Sequence, residues 1–285
     1  MDRALWAGFE SDRLGYAFVG GYRAALSRLL AWGAETLGDA TERPYAWPPS
    51  DARLCLAATE SGGAHPRAIA TTLREERGAL VVRGEKTFAT LASASDELLV
   101  VVSRGADAEG RSRLALVRVR AGSPGLVVAD RPPTPFAPEI PHARVTLNDV
   151  VVASDDVLPG DGYAVYLKPF RTIEDVHVLA AALGLVVRSA RAFGDGRVVA
   201  ETACALAVAL RDLSDRAPSD PAAHVALSGL FHGAQTLFAT HADAWKEADP
   251  DAAERWRRDA PLLLVADGAR QKRTAAAWQL LTSPP

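Results

Sequence analysis

The sequence lacks the features that identify several common classes of protein. It has two cysteines in 285 residues and no C-x-x-C pair, so a disulfide framework, a zinc site and thioredoxin chemistry are not expected. Its net charge of -3 is not that of a general nucleic-acid binder, which normally carries a basic face. No window approaches the roughly 18 apolar residues of a membrane span, and residues 1–12 have no apolar segment typical of a signal peptide. We therefore expect a cytoplasmic protein with no nucleic-acid partner and no membrane span.

Familiar catalytic signatures are also missing. The sequence contains no G-x-S-x-G elbow, no H-E-x-x-H pair and no P-loop. Residues 160–162 (GDG) are too short for a dinucleotide-binding fingerprint, and the six histidines are scattered, so no metal site is predicted. Cys55 and Cys204 each lie in an apolar run. Because free cysteine behaves as a small apolar residue, we expect both to be reduced and buried.

What is present divides into three zones with different periodicity. In residues 1–50, apolar residues recur at helical spacing between 12 and 32, which predicts an amphipathic helix. The Gly20-Gly21 pair either weakens this helix or marks a close contact. The proline- and aromatic-rich stretch 42–50 is typical of a linker.

The middle zone, residues 51–168, is predicted to be a β domain. Short runs rich in β-branched residues alternate with turn residues, and no helical segment separates them. This pattern favours an antiparallel sheet or barrel over a parallel α/β sheet. The predicted strands are 54–59, 68–73, 79–83, 97–103, 114–120, 126–129 and 143–152.

The third zone, residues 169–285, is predicted to be a helical domain. Apolar residues recur at helical spacing and are interrupted by glycine and proline near 194–196 and 217–221. The predicted helices are 172–193, 198–212, 221–247 and 251–281. The fold class expected from the whole chain is α+β.

Four local motifs, in order, resemble the acyl-CoA dehydrogenase family. Residues 59–63 (TESGG) are similar to its Thr-Glu-Pro-Gly loop, 84–90 (GEKTFAT) to its Gly-x-Lys-x-aromatic-Ile-Thr strand, and 147–152 (LNDVVV) to the strand that closes its barrel. Residues 181–185 (AALGL) are similar to a pattern in the helix that follows. The resemblance implies a central antiparallel β-barrel followed by a helical bundle, around a flavin adenine dinucleotide (FAD).

The resemblance also implies a site and a reaction. In the family, a carboxylate removes the α-proton of an acyl thioester while hydride leaves the β-carbon for the flavin. Ala58 and Thr59 would then meet the pyrimidine edge of the flavin, Phe88 would cover a ring face, and Thr90 would bond near N5. An ordinary turn and ordinary strand residues are the alternative for these positions.

Glu174 is the candidate base, because it matches the position that a minority branch of the family uses, counted back from Gly184. The family's more usual Tyr-Glu-Gly segment is absent from this chain. The alternative is structural: Thr172 and Asp175 resemble a helix capping box, which would make Glu174 an acid of the first helical turn. Asp175 also stands where many relatives have an arginine, which replaces a positive charge near the ligand with a negative one.

Basic and polar residues elsewhere have a possible ligand role and an ordinary one. His65 and Arg67 follow the 59–63 loop and are predicted to lie on the surface. Residues 255–259 (RWRRD) resemble a late Arg-x-x-Arg-Asp motif of the family. Arg270, Lys272 and Arg273 form a second positive cluster, the best local candidate for an anionic partner such as CoA. His177, one turn after Glu174, is interpreted as a plain helix residue.

The chain also departs from the family. Most of the N-terminal helical domain is missing, and Ala192-Phe193-Gly194 comes too soon to match the Arg-x-x-Phe-Gly motif that grips the adenine and pyrophosphate; no Gln-x-x-Gly-Gly follows. Our leading hypothesis is an FAD-dependent enzyme acting on an acyl-CoA or acyl-carrier thioester, in a homo-oligomer or with a partner subunit. The alternatives are a non-catalytic scaffold of the same fold that binds a partner or ligand without flavin, and a flavoprotein with oxidase or monooxygenase chemistry.

Overall fold

The computed structural model describes residues 1–38, 52–191, 196–240 and 242–283. The predicted linker at 42–50 and the 192–194 segment lie outside these ranges. The chain divides into a helical unit, residues 1–27, 134–139 and 170–285, and a sheet unit, residues 28–133 and 140–169. The domain boundaries expected after residues 50 and 168 stay a proposal.

The sheet unit contains a seven-stranded sheet in the order β1-β4-β2-β3-β7-β6, with β5 paired to β4. Its pairs are antiparallel except β1–β4 and β2–β4, which are parallel. Alanine and valine dominate the core of this sheet. The strand β4 is buried at six consecutive positions, as expected of a strand that is covered on both faces. The strands are β1 Leu54–Ala57, β2 Thr72–Glu76, β3 Ala79–Thr90, β4 Glu97–Ala106, β5 Ser112–Arg120, β6 Leu126–Asp130 and β7 His142–Val152.

Besides the strands, the described residues form α-helices and short 3-10 and π-helical segments. Apolar faces of the α-helices form most of the core of the helical unit. Two helices begin the chain and the others follow the sheet. They are α1 Asp2–Glu10, α2 Leu14–Leu37, α3 Lys168–Ala190, α4 Gly196–Ser214, α5 Pro221–Thr240, α6 Ala242–Ala248, α7 Pro250–Asp259 and α8 Asp267–Thr282.

The expected α+β fold class is confirmed, as a mixed, half-barrel sheet with helices, but several elements differ from the prediction. The helix α1 was not predicted. The strand expected at 68–73 begins only at Thr72, because residues 66–68 form a 3-10 turn that starts with proline. The helix expected at 251–281 is interrupted by a 3-10 segment at 260–264, which contains Pro261.

Three glycines allow helices of the helical unit to pack in backbone contact. A Cβ on Gly184 would lie 2.0 Å from the carbonyl oxygen of Leu5, and one on Gly8 would lie 1.8 Å from that of Ala181. A Cβ on Gly21 would lie 2.8 Å from the carbonyl oxygen of His177. The Gly20-Gly21 pair therefore marks a close contact, and Gly184 is fixed by the approach of α1 to α3.

The two cysteines differ in burial. Cys55 is fully buried in β1, whereas Cys204 is exposed on α4. The expectation of a buried Cys204 was wrong because Ala203 and Ala207 define the inward stripe of α4 and Cys204 lies beside it. Within the described ranges, no helix is long and apolar enough to span a bilayer.

Candidate functional site

Three of the four predicted flavin contacts lie close together in the sheet unit. Thr59 forms an isolated antiparallel bridge with Phe88, and the backbone N–H of Thr87 donates to the carbonyl of Thr59 at 2.9 Å. Phe88 and Thr90 are two residues apart on β3, and alternation along a strand places them on one face. Ala58 precedes Thr59 and is buried. The sheet pairing therefore brings these residues to one place.

The side chains at this place retain free polar groups. Phe88 is 37% exposed, and Thr59 and Thr90 are half-buried. Neither threonine hydroxyl makes a hydrogen bond to any described residue. A hydroxyl can both donate and accept, so the pair suits a planar ring that carries nitrogen and oxygen at its edge. The residues present therefore fit the ring of a flavin.

The glutamate and lysine of the two neighbouring motifs form a buried ion pair. Lys86 Nζ lies 2.6 Å from Glu60 Oε1, and the two side chains are 0% and 6% exposed. Lys86 also donates to the carbonyl of Val101 at 2.5 Å. Glu60 accepts from the backbone N–H groups of Ala70 and Thr71, at 2.7 and 3.1 Å, and from the Thr71 hydroxyl at 2.7 Å.

This pair has a structural role that sequence reasoning did not assign. Burial lowers the pKa of Lys86 to about 8, although Glu60 opposes the shift. Burial alone would raise the pKa of Glu60, but Lys86 and the three donors hold it below its ordinary value. The pair joins the 59–63 loop to β3, and so fixes Thr59 beside Phe88. Lys86 follows Glu85 and is close to Arg83 on β3, so its local sequence carries no signal that it is buried.

His142 and Arg131 are two further residues that sequence reasoning missed. The His142 ring stacks on Phe88 with centroids 4.3 Å apart, and the Arg131 guanidinium lies 5.6 Å from the Phe88 centroid. Arg131 also donates to the carbonyl of Thr87 at 2.9 Å. Burial, and then the charge of Arg131, lower the pKa of His142 below its ordinary value, so the imidazole is neutral near pH 7. One face of Phe88 is therefore already held by the protein.

Glu174 lies in α3, in the helical unit, well past the start of the helix. Asp161 caps the preceding π-helical segment Gly162–Leu167 by accepting from the N–H groups of Tyr163 and Ala164, at 3.0 and 2.7 Å. This segment runs directly into α3. The alternative of a capping box at Thr172 was wrong, because α3 already begins at Lys168 and continues a helical segment that starts at Gly162.

The Glu174 carboxyl has no partner among the described residues and a raised pKa, two properties that are typical of a group that transfers protons. It is half-buried and makes no hydrogen bond or ion pair with any residue that the structure describes. Burial, and then the charge of Asp175, raise its pKa to about 8, against the opposing charge of Arg273. An unpartnered carboxyl with a raised pKa suits proton transfer near neutral pH.

Asp175 is not an isolated negative charge beside Glu174. Its Oδ1 lies 3.0 Å from Arg270 Nη2, and its Oδ2 pairs with Arg273 Nη2. The three side chains are 6%, 5% and 17% exposed. Two arginines of α8 thus offset the negative charge of Asp175. Arg270 is buried in these ion pairs and Arg273 is half-buried. Of the predicted cationic cluster of Arg270, Lys272 and Arg273, only Lys272 is therefore exposed.

The other predicted polar residues make internal contacts. Asp259 is fully buried and accepts from Arg258 and from the N–H of Ala137, so the 255–259 motif holds the 134–139 segment in the helical unit. His177 is buried, with Nδ1 2.7 Å from the carbonyl of Ile173. His65 is exposed and accepts from the N–H of Arg67 at 3.3 Å. No cluster of three metal-ligating side chains occurs among the described residues.

Comparison with known proteins agrees with this architecture. Residues 55–150 match the model of the acyl-CoA dehydrogenase middle domain. FkbI, described as acting in biosynthesis of a methoxymalonyl extender unit, is 22% identical with a TM-score of 0.72 over 99% of this chain and 84% of its own. Butyryl-CoA dehydrogenase from Megasphaera elsdenii is 15% identical with a TM-score of 0.71, over 96% of this chain and 81% of its own.

A third similar structure is named for a different chemistry. The prolyl acyl carrier protein oxidase AnaB is 16% identical with a TM-score of 0.64, over 97% of this chain and 81% of its own. Comparison with curated protein sequences found no match. The chain has the acyl-CoA dehydrogenase fold, and the resemblance inferred from its motifs is confirmed.

Proposed function

We propose that this chain is an FAD-dependent oxidoreductase that dehydrogenates an acyl thioester at its α and β carbons. Glu174 is the base, and Ala58, Thr59, Phe88 and Thr90 contact the flavin. The observation that carries the proposal is Glu174 itself: a half-buried carboxylate without a partner among the described residues, with its pKa raised to about 8. A carboxyl that served only stability would be exposed or paired.

The proton chemistry follows from the state of Glu174. As an acid with a raised pKa, it is mostly protonated below about pH 8 and ionised above it. Only the ionised form accepts the α-proton of the substrate. The rate of the proton-transfer step should therefore rise with pH and level off above about pH 8.

The sheet unit supplies the proposed flavin contacts. Phe88 is held by the His142 stack, so its ring can support another planar ring at little entropic cost. The hydroxyls of Thr59 and Thr90 have no partner among the described residues and can donate to or accept from ring nitrogen and oxygen atoms. A flavin held by these residues would supply the acceptor for the hydride from the β-carbon.

We further propose that the substrate is carried by CoA or by an acyl carrier protein, since similar structures include enzymes named for each. The proposal extends to a homo-oligomer, because Trp278, Leu280 and Leu281 at the end of α8 are each at least half exposed. Sedimentation analysis should give a mass above that of one chain. Substitution of Trp278 by Arg should lower that mass, and a monomeric wild-type protein would contradict this part of the proposal.

The experiment that tests the function is an absorbance spectrum of the protein purified with and without added FAD. A stoichiometric flavin spectrum that bleaches on addition of an acyl-CoA supports the proposal. The variant Glu174→Gln should retain the flavin spectrum and lose the bleaching. The control Glu201→Gln, an exposed residue of α4 paired with Arg197, should bleach like the wild type.

Two results would oppose the proposal in different ways. Protein that stays colourless with FAD present contradicts the flavin assignment and favours a scaffold that binds a partner without flavin. Bleaching by Glu174→Gln at the wild-type rate removes Glu174 from the reaction and leaves the flavin assignment intact.

A further inference from the structure

Asp175 brings two arginines of α8 to the residue that follows Glu174. Its two carboxylate oxygens are divided between them, Oδ1 to Arg270 at 3.0 Å and Oδ2 to Arg273. Arg270 and Arg273 are 95 and 98 positions from Asp175 in sequence, so this cluster exists only in the folded helical unit. One carboxylate thus accepts from two guanidinium groups in a largely buried place.

The two arginines are not equivalent. Arg270 is enclosed: its guanidinium lies 3.4 Å from the ring centroid of Phe231, and it has a second carboxylate partner, Asp267, at 3.4 Å. Arg273 is 17% exposed, and its bond to Asp175 is the one hydrogen bond of its side chain within the described residues. With Asp267 included, the cluster holds two carboxylates and two guanidinium groups, and Arg273 is the guanidinium whose one carboxylate partner within the described residues is Asp175.

Glu174 is the neighbouring group on which the charge of Arg273 can act. The charged residues that influence Glu174 within the described chain are Asp175 on its own helix and Arg273 from α8, with opposite effects. Asp175 opposes ionisation of Glu174 as a like charge, and it also holds Arg273 in place. Arg273 favours ionisation as an opposite charge.

We propose that Arg273 is a positioning residue for Glu174: anchored by Asp175, it is the cation that draws Glu174 toward its ionised form. This inference rests on the proposed role of Glu174 as the base, and it adds a residue that the motifs do not contain. A carboxylate buried with only Asp175 beside it would stay protonated at neutral pH and could not accept a proton. Arg273 offsets part of that effect and keeps a useful fraction of the base ionised.

The test is a direct titration of Glu174 in the protein without flavin. The carboxyl carbons of glutamate are labelled with ¹³C, and the Glu174 signal is assigned by its loss in Glu174→Gln. In Arg273→Gln the titration midpoint should rise by about one pH unit, the size of shift that a nearby opposite charge produces. Lys272→Gln is the matched control: it removes an exposed charge from the adjacent position of α8 and should leave the midpoint unchanged.

A second neutral variant keeps the test decisive. If Arg273→Gln does not fold, Arg273→Met fills a similar volume without a buried polar head, and the same upward shift is expected. A midpoint in the neutral variant that matches the wild type would overturn the inference, and so would an equal shift in Lys272→Gln. Because the titration needs no flavin, this outcome is separate from the colourless protein that would contradict the proposed function.

Discussion

Replacing Lys86 by Met should cost the protein more stability than almost any other single change of a charged residue. Lys86 is fully buried and its ammonium is neutralised by Glu60 at 2.6 Å. Methionine fills a similar volume, so the change removes the charge and the hydrogen bonds and leaves packing nearly intact. Glu60 then remains as an uncompensated buried carboxylate.

The magnitude follows from what Glu60 retains. Removing one partner of a buried ion pair typically costs about 3–5 kcal/mol. Glu60 keeps three donors, two backbone N–H groups and the Thr71 hydroxyl, so we expect a loss of about 3 kcal/mol, near the lower end. Because Lys86 helps to lower the pKa of Glu60, that pKa is higher in the variant. The loss should therefore be smaller at about pH 4, where Glu60 can bind a proton, than at about pH 7.

Equilibrium unfolding in urea, followed by circular dichroism, measures the loss. At an ordinary denaturant dependence, about 3 kcal/mol moves the midpoint by about 1 M or more. The matched control is Arg53→Met, which breaks the exposed pair with Asp96 at 2.7 Å, where the side chains are 57% and 46% exposed. That pair should contribute about 1 kcal/mol or less. Equal losses for Lys86→Met and Arg53→Met would refute the reasoning that burial makes the difference.

Three further predictions concern titration, stacking and thiol reactivity. The pKa of Glu174 is raised to about 8, so between about pH 4.5 and 8 the folded state keeps a proton on Glu174 that the unfolded state releases. Ionisation of Glu174 therefore destabilises the folded state, and Glu174→Gln should stabilise the protein at pH 7 by about 1–3 kcal/mol in urea unfolding. This gain should vanish below about pH 4.5, where Glu174 is protonated in both states. Phe88→Ala should weaken FAD binding by about tenfold in a fluorescence titration, whereas Val151→Ala, an exposed change on β7, should not. Cys204 alone should react with a thiol reagent in the folded protein, because Cys55 is buried and burial raises its pKa to about 12; two fast-reacting thiols would contradict the assigned burial.

The sequence predicts the fold well where a pattern is local. The β-branched runs separated by turns locate most of the strands, because alternation and turn chemistry act over a few residues. The strand expected at residue 68 is displaced because Pro66 starts a 3-10 turn that apolar content does not reveal. The single helix expected at 251–281 is interrupted near Pro261 for the same kind of reason. Parallel pairing of β1 with β4 depends on contacts distant in sequence, so local pattern cannot give it.

The candidate site likewise contains residues that local motifs predict and residues that only the folded sheet brings together. Thr59, Phe88 and Thr90 could be predicted because their motifs are continuous in sequence, and the Thr59–Phe88 bridge brings those motifs together. His142 and Arg131 were missed because each meets Phe88 only through the sheet register. Neither carries a local signal, since an isolated histidine or arginine is usually a surface residue.

Asp175 shows why a residue's charge cannot be interpreted from its position alone. In sequence, an acid where relatives have an arginine argues against a base at the adjacent position. In the folded helical unit, Asp175 binds Arg270 and Arg273, and the charge next to Glu174 is set by all three side chains together. The acid at position 175 reverses the sign of the charge expected there, and Arg270 and Arg273, almost a hundred positions away in sequence, bring positive charge to the same place. If Glu174 is the base that we propose, the cluster supplies a positive charge that favours its ionised form, although the residue next to it in sequence is an acid.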